Sequence, residues 1–259
     1  MASKDPVYII TGASKGIGLE ALKYFVTIPC NIITVSRSIP EELSKILDAH
    51  KNIYHFCGNV SDTEISDIII ETVEKLGGKI NAIVHNVGVA PILKIQDTPV
   101  EVWKRVFDIN FFSMVDLTQK ALPFLRNAKG RVLFVSSGVA VKGKQGWSAY
   151  SCSKASINMF AQVLADEEPD VFTLAIRPGV VNTSMQEYIR EQMKNGFSKE
   201  DIELFENYNK EKKLKDPKEP ASVLFNLATK EKLPEKCTSG EFISIDDERL
   251  ASYKTFKSQ

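Results

Sequence analysis

A glycine-rich turn near the start of the chain constrains the fold more than any other feature of the sequence. The apolar run Val7–Thr11 leads into the pattern G-x-x-x-G-x-G at Gly12–Gly18, and Ile17, Ala21 and Phe25 recur at helical spacing. Strand, glycine turn and helix in this order indicate a phosphate-binding loop, since glycine lets the backbone approach an anion and the first N–H groups of the helix point towards it. The alternative is a tight turn whose glycines only help the helix to pack.

Apolar runs of strand composition alternate with helical patterns along the rest of the chain. Because each crossover between parallel strands needs a helix, this alternation predicts a parallel sheet with helices on both faces. We therefore expect an α/β fold, a doubly wound parallel sheet of the Rossmann type, in a single domain over residues 1–259. The further strands are predicted at 31–36, 53–57, 80–84, 132–135, 171–177 and 242–245.

Helical spacing of apolar residues places helices between these strands. We expect one at 40–50, one at 99–107 and a longer one from Asp108 to about Asn127. On the helix after the third strand, the residues predicted to face the core are Ile65, Ile68, Ile69, Val73 and Leu76.

The charge balance narrows the class of partner. Lys plus Arg number 33, and so do Asp plus Glu. A chain without net charge has no overall field to recruit nucleic acid or an acidic membrane, so we expect neither as a partner and favour small molecules or protein surfaces. The sequence has no secretory leader pattern, no long apolar run and no peroxisomal signal, which predicts a cytoplasmic protein.

Cysteine and histidine positions do not follow a metal-binding pattern. The four cysteines and three histidines form neither C-x-x-C nor H-E-x-x-H. We therefore expect reduced thiols and no metal.

Basic side chains mark the place where a dinucleotide ribose would lie. Arg37 follows Ser36 at the end of the second predicted strand, and no Asp or Glu stands there. An acid at this place binds a free 2′-OH, whereas Arg accommodates a 2′-phosphate, to which Lys15 can add a second positive charge. The pair favours NADP(H) over NAD(H); two solvated surface cations are the alternative.

A serine, a tyrosine and a lysine follow the strand predicted at 132–135. Ser137 comes at its carboxyl end, and Tyr150 and Lys154 stand four apart at the start of a helical pattern. That spacing puts both side chains on one helix face, where an ammonium can lower the pKa of a phenol and make it a proton donor and acceptor. An ordinary surface helix is the alternative. Asn110, between apolar neighbours, is either a functional polar group or a core Asn bonded to the backbone.

These motifs together resemble the short-chain dehydrogenase/reductase family in its short form. The matching positions, in the family's order and spacing, are Thr11 to Gly18, Asn86 to Gly88, Asn110, Ser137, Tyr150, Lys154, Pro178 and Gly179. The resemblance runs from about Val7 to Gly179, and within the family it is similar to NADPH-dependent carbonyl reductases such as sepiapterin reductase and the fungal benzil reductases. Two motifs depart from the family pattern: His85-Asn86-Val87-Gly88 stands in place of Asn-Asn-Ala-Gly, and Asn59 stands in place of an Asp beside adenine.

The resemblance implies a catalytic tetrad of Asn110, Ser137, Tyr150 and Lys154. Tyr150 would protonate a carbonyl oxygen held by Ser137, while Lys154 would lower the pKa of Tyr150 and bind the nicotinamide ribose. Asn110 would hold a water in the proton relay. The implied cofactor-binding residues are Gly12, Ser14, Lys15, Gly16, Ile17, Gly18, Ser36, Arg37, Asn59, Val60, Asn86, Gly88, Tyr150, Lys154, Pro178, Gly179, Val181 and Thr183.

A charged insertion at 184–217 carries apolar side chains and is a candidate helical lid over the substrate. The alternative is one or two ordinary helices packed on the body. The predicted substrate pocket consists of Ser137, Trp147, Tyr150, Met185 and Tyr188. Asp246 and Asp247 follow the last strand; we interpret them as a solvated turn, with an anchor for a cationic or pterin-like substrate as the alternative.

The resulting hypothesis is an NADPH-dependent reductase of a bulky or aromatic ketone or diketone. The resemblance also implies a homodimer or homotetramer, although core packing would equally explain the apolar helix faces. Two other functions remain open at this point: an NADP-binding regulatory protein without turnover, and an NAD-dependent alcohol or steroid dehydrogenase.

Overall fold

A seven-stranded parallel sheet forms the centre of the computed structural model, which describes residues 5–193 and 214–255. The strands are Val7–Thr11 (β1), Asn31–Ser36 (β2), Ile53–Cys57 (β3), Ala82–His85 (β4), Arg131–Val135 (β5), Phe172–Arg177 (β6) and Glu241–Ser244 (β7). Their order across the sheet is β3-β2-β1-β4-β5-β6-β7, with every neighbouring pair parallel. The predicted doubly wound sheet is confirmed, with strand ends within two residues of those expected.

Helices cover both faces of the sheet. They are Gly16–Phe25 (α1), Glu41–Ala49 (α2), Thr63–Lys75 (α3), Val100–Phe107 (α4), Ser113–Ala128 (α5), Ser148–Glu167 (α6), Ser184–Met193 (α7) and Lys218–Thr229 (α8). None of the helices in the described ranges is both long and apolar enough to span a bilayer.

The alternation of side chains along β1 divides the core into two layers. Tyr8 and Ile10 point into one apolar cluster, where they join Phe25 of α1. Val7 and Ile9 point into the other, which α3 and α5 close. All five residues of β1 are buried, as expected for a strand with helices on both faces.

The helix predicted from Asp108 has a different form in the structure. Asp108–Phe112 is a π-helical segment that joins α4 to α5. A π segment adds a residue to the turn and shifts the helix face, an irregularity that often accompanies functional sites. Sequence periodicity at 3.6 residues per turn cannot reveal it.

One residue of the predicted core face of α3 is misplaced. Ile69 and Val73 are buried, but Ile68 is 38% exposed. Ile68 lies one position, or 100° of helix rotation, from Ile69, so both cannot face the core equally. The prediction of Ile68 as a core residue was wrong.

The insertion predicted at 184–217 is described only at its two ends. It begins with α7 and returns at 214–217, and residues 194–213 lie outside the described part of the chain. The lid therefore stays a prediction.

Candidate active site

A cleft of about 910 Å³ opens at the carboxyl ends of the parallel strands, a volume in the range of small-molecule sites. It lies where the strand order reverses, since the chain runs outward from β1 to β3 and then returns to place β4 on the other side of β1. Ligands bind at this switch point in open α/β sheets. Residues from the glycine loop, Ser137, Tyr150, Lys154 and the loop after β6 line the cleft.

The glycine loop is shaped by backbone angles and by one asparagine. Gly12 and Gly16 have φ values of +78° and +59°, a region that favours glycine. The Nδ2 of Asn86 donates to the carbonyl oxygens of Thr11 at 3.1 Å and Gly12 at 3.2 Å. A Cβ on Gly18 would stand 2.2 Å from the Gly12 carbonyl oxygen. Asn86 therefore holds the glycine loop in place by hydrogen bonds, and the absence of a side chain at Gly18 allows this close packing.

Two exposed cations lie at the end of the cleft next to β2 and the glycine loop. Lys15 lies in the glycine loop and Arg37 at the end of β2, and both line the cleft. Beside Arg37, the Ser36 hydroxyl donates to the Ser38 carbonyl at 2.7 Å and lies 3.3 Å from His55 Nε2. The predicted residues Asn59 and Val60 line the same end.

Tyr150 and Lys154 lie in the first two turns of α6, and both are buried. Tyr150 is 7% and Lys154 2% exposed. The Lys154 Nζ donates to the Val135 carbonyl at 2.7 Å and lies 5.7 Å from the centroid of the Tyr150 ring. The Ser137 side chain lies close enough to the Tyr150 phenol to lower its pKa. The three groups singled out from the sequence thus come together, joined by the end of β5.

Burial controls the proton affinity of this pair. It raises the pKa of Tyr150 to about 12, while the neighbouring Ser137 side chain acts in the opposite direction. It also lowers the pKa of Lys154 to about 7. The expectation that Lys154 sets the pKa of Tyr150 below its usual value is corrected, because the Nζ is held at Val135 and faces the ring. Tyr150 therefore carries its proton at neutral pH, as a proton donor must.

The side chain of Asn110 is fully buried within the π-helical segment. Its Oδ1 accepts from the Val89 N–H at 2.8 Å, and its Nδ2 donates to the Val89 carbonyl and to Ser153 Oγ, both at 3.0 Å. A Cβ on Gly88 would lie 3.6 Å from this Oδ1 and 3.5 Å from Lys154 Nζ. Asn110 thus has the backbone partner of the structural alternative and also borders Lys154; its role in a water relay stays a prediction.

His85 occupies the position where the family pattern has Asn. It is buried, its Nε2 lies 3.0 Å from Thr118 Oγ1, and its ring stacks on Phe134 at 5.1 Å. Burial, together with the charge of Lys154, lowers the pKa of His85 to about 3. A neutral imidazole therefore packs behind the site and takes no proton from it.

The substrate end of the cleft is apolar. The Trp147 ring is buried with its centroid 5.8 Å from that of Tyr150, and Met185 packs against the same cluster. Tyr188 was wrongly predicted to line the pocket: it is 45% exposed and lies outside the cleft lining. α7 presents Ile189 instead, which is rotated by 100° from Tyr188 on the helix.

The loop after β6 forms part of the cleft wall, and its binding to the cofactor stays a prediction. Pro178, Gly179, Val181 and Thr183 all line the cleft. Gly179 has φ +81°, and a Cβ there would meet the Lys215 side chain at 2.8 Å. A Cβ on Gly16 would meet Thr183 at 3.2 Å, so this loop and the glycine loop come together across the cleft.

Several lining residues were missed by the sequence reasoning. They include Lys142, Ile189 and Arg177, which immediately precedes Pro178 at the end of β6. The rule that the ends of parallel strands share one edge could have found Arg177.

Asp246 and Asp247 do not line the cleft. Asp246 accepts hydrogen bonds from Lys215 at 2.7 Å and Lys254 at 3.2 Å, which agrees with the turn interpretation. Among the described residues, no three His, Cys, Asp or Glu side chains group as metal ligands.

Comparison with known proteins decides the family. A family model described as short chain dehydrogenase matches residues 6–194. The chain belongs to the short-chain dehydrogenase/reductase family. It is 38% identical over 258 residues to a benzil reductase ((S)-benzoin forming) of Saccharomyces cerevisiae, covering 94% of this chain and 97% of the relative. An oxidoreductase of Schizosaccharomyces pombe is 41% identical over 230 residues, covering 86% and 91%.

The fold comparison agrees. The crystal structure of a short-chain dehydrogenase/reductase from Saccharomyces cerevisiae superposes with a TM-score of 0.90 at 33% identity, covering 96% of this chain and 99% of the other. Members of this family are oxidoreductases that use a nicotinamide cofactor. The cleft fits such a cofactor, since the left-handed Gly12 and Gly16 leave the backbone open to a pyrophosphate and the lining continues from Arg37 to Lys154.

The packing of Gly18 gives a first test. Gly18→Ala would push a methyl group into the Gly12 carbonyl and Asn86. We expect a lower urea midpoint of unfolding and at least tenfold weaker binding of the nicotinamide cofactor, measured by fluorescence titration, because the displaced loop no longer matches the pyrophosphate. Gly143→Ala is the matched control, since its Cβ would meet nothing within 4 Å. Equal midpoints and affinities for the two variants would contradict this account of the loop.

The buried lysine gives a second test, on cofactor-free protein. The pKa of Lys154 is about 7 when folded and about 10.4 when unfolded. Between these values the unfolded chain binds more protons, so the free energy of unfolding rises with pH, by up to about 1.4 kcal/mol per pH unit. We expect the free energy of unfolding of the wild type, relative to Lys154→Met, to increase from pH 7 to pH 9 in urea titrations. A constant difference would mean that the amine stays charged.

Proposed function

We propose that this chain is an NADPH-dependent reductase that converts a ketone or diketone to the alcohol. The observation that carries the proposal is the buried Tyr150 phenol, which lies beside Ser137 at the edge of an apolar pocket that adjoins the glycine loop. When bound, the nicotinamide supplies the hydride.

Ser137 and Tyr150 act on the carbonyl oxygen of the substrate. The Ser137 hydroxyl donates a hydrogen bond that orients the carbonyl and stabilises negative charge on its oxygen. Tyr150 donates its proton to the same oxygen, which makes reduction to the alcohol complete. The contact between the two hydroxyl groups supports this division, because one substrate oxygen can then meet both.

Lys154 and Asn110 support the proton transfer from behind. The Lys154 amine, whose pKa lies near 7, can hold or release a proton at physiological pH and can bind the nicotinamide ribose. Asn110 borders it across Gly88 and would keep a water in the path by which Tyr150 regains its proton. Positioning of these groups by buried hydrogen bonds supports the proposed roles.

The preference for NADPH rests on the cations at the adenosine end. Lys15 and Arg37 are exposed and line the cleft where a ribose 2′-phosphate would lie. Among the lining residues that the structure describes, no carboxylate is present to bind a 2′-OH or to repel a phosphate.

A bulky or aromatic substrate suits the other end. Trp147, Met185 and Ile189 offer an apolar wall beside Tyr150, and two relatives of bacterial and yeast origin are benzil reductases. We also propose assembly as a homodimer or homotetramer, which the exposed Phe112, Met159 and Val163 on adjoining helical segments support.

Removal of the Tyr150 hydroxyl tests whether this residue is the proton donor. In Tyr150→Phe we expect kcat for benzil reduction to fall by about 100-fold to 10,000-fold, the range for loss of a positioned general acid, followed as NADPH absorbance. NADPH binding should stay within a few-fold of wild type. Tyr188→Phe makes the same chemical change at an exposed position and should keep the wild-type kcat. An unchanged rate in Tyr150→Phe would refute the assigned proton donor.

Removal of the Arg37 guanidinium tests the proposed preference for NADPH over NADH. Arg37→Gln should lower the NADPH to NADH ratio of kcat/KM by about tenfold to 100-fold, since a hydrogen bond to a charged group contributes about 1.5–3 kcal/mol. Arg105→Gln removes a surface guanidinium outside the cleft lining and should leave the ratio as it is. A wild type that uses NADH and NADPH equally well would overturn the preference.

A further inference from the structure

The charged residues that line the cleft in the described part of the chain are all basic. The chain as a whole carries equal numbers of acidic and basic residues, 33 of each. Within the described part of the chain, the lining includes no Asp or Glu at all. It includes six basic residues: Lys15, Arg37, Lys142, Lys144, Lys154 and Arg177.

The proposed function accounts for half of these cations. Lys15 and Arg37 lie at the adenosine end, and Lys154 belongs to the catalytic group. Lys142, Lys144 and Arg177 lie at the other end, on the loop that follows Ser137 and at the end of β6. Reduction of a neutral diketone requires none of these three.

Arg177 is placed beside the catalytic serine. A Cβ on Gly138 would stand 3.0 Å from its Nε and 3.2 Å from its Cζ, so the guanidinium lies against the residue that follows Ser137. Ser137 in turn meets the Tyr150 phenol. Glycine at position 138 leaves the space that the guanidinium fills. The positive charge is therefore held near the reacting carbonyl by the fold.

No acidic side chain within 5–193 or 214–255 forms a salt bridge with Arg177. Glu219 and Asp246 form their salt bridges with Lys215 and Lys254 instead. An arginine fork that faces a cleft without a protein carboxylate suits a bidentate anionic ligand.

Lys142 can reinforce the same charge. It is exposed and lines the cleft, and its neighbour Gly143 faces open space, since a Cβ there would meet nothing within 4 Å. Its long side chain can therefore turn towards a ligand that Arg177 holds. The apolar wall of Trp147 and Met185 leaves room for the carbon skeleton of that ligand.

We propose that the preferred substrate of this reductase is an anionic ketone, a carbonyl compound with a carboxylate or phosphate group that Arg177 binds with the help of Lys142. The inference rests on the proposed function and adds the substrate class. Hydride passes to the carbonyl carbon, the proton of Tyr150 passes to the oxygen, the cofactor is oxidised, and the anionic group is unchanged.

Matched acids and esters test the proposal. Benzoylformate is compared with methyl benzoylformate, and 4-acetylbenzoate with its methyl ester, so that the anion is offered at two distances from the ketone; 4-acetylphenyl phosphate tests the phosphate form. We expect kcat/KM with NADPH to favour at least one acid over its ester by about tenfold or more at low salt. This preference should weaken as salt is added.

Charge variants locate the site. Arg177→Met should lower kcat/KM for the preferred anion at least tenfold more than for its ester, and Lys142→Met should do so to a smaller extent. Arg105→Met, which removes a positive charge outside the cleft lining, should not change the acid to ester ratio. A loss equal for acid and ester in Arg177→Met would overturn the assignment of Arg177.

The outcomes separate this inference from the function on which it rests. If benzil and the esters are reduced but no anion is preferred, the anionic substrate class is refuted and the reductase stands. If no ketone of the panel is reduced with NADPH or NADH, both proposals fail. Whether the carboxylate or the phosphate probe is preferred identifies the form of the anion.

Discussion

Parallel pairing of β1 with β2 on one side and β4 on the other is the arrangement on which the site depends. It sets the carboxyl ends of the strands side by side, so that loops far apart in the chain meet at one edge. The glycine loop after β1, Arg37 after β2, Asn86 after β4, Ser137 after β5 and Arg177 at the end of β6 all occupy that edge. Two apolar layers, one on each face, hold the strands in register. The chemistry therefore depends on the sheet for its geometry and on the strand ends for its residues.

Burial gives this edge its electrostatic character. Lys154 is surrounded by apolar and neutral groups, which include the stacked and neutral His85, and its Nζ donates a hydrogen bond to the Val135 carbonyl. In such surroundings a charge is costly, which explains why the amine pKa falls and the phenol pKa rises. Cations attract a negatively charged dinucleotide. Lys15 and Arg37 lie at the end of the cleft where its adenosine would bind, whereas Lys142, Lys144 and Arg177 line the opposite end.

Sequence reasoning recovered the sheet, its order of elements and most of the lining, for identifiable reasons. Tyr150 and Lys154 lie on one face of α6, as predicted, because a four-residue spacing on a helix has one geometric meaning. Gly12 and Gly16 follow from the strand and helix around them. Most of the residues that the family motifs predicted to line the cleft do line it. Gly18 and Asn110 are the exceptions among the glycine-loop and catalytic positions, because they pack behind the cleft wall.

The wrong predictions concern side chains whose direction cannot be deduced from the spacing of residues along the sequence. Tyr188 and Ile68 lie at the margins of amphipathic faces, where apolar character alone does not determine which way a side chain points. The π-helical segment at Asp108–Phe112 changes the period that the sequence argument assumes. The pKa of Tyr150 depends on whether its neighbour Nζ approaches the oxygen or the ring, a detail set by the Val135 carbonyl. Such features come from three-dimensional packing and have no local signature.

The strand-like bridge between Val181 and Lys215 has a consequence for how this scaffold diversifies. The Asn182 N–H donates to the Lys215 carbonyl at 2.9 Å, and the Lys215 N–H donates to the Val180 carbonyl at 2.9 Å. The chain that leaves the cofactor loop thus returns to the same point, where Lys215 is further tied to Glu219 and Asp246. A segment whose ends are already clasped adds little closure entropy when its length changes. Insertions or deletions between these two points therefore cost the fold little, because they leave the paired backbone of Val180, Asn182 and Lys215 unchanged.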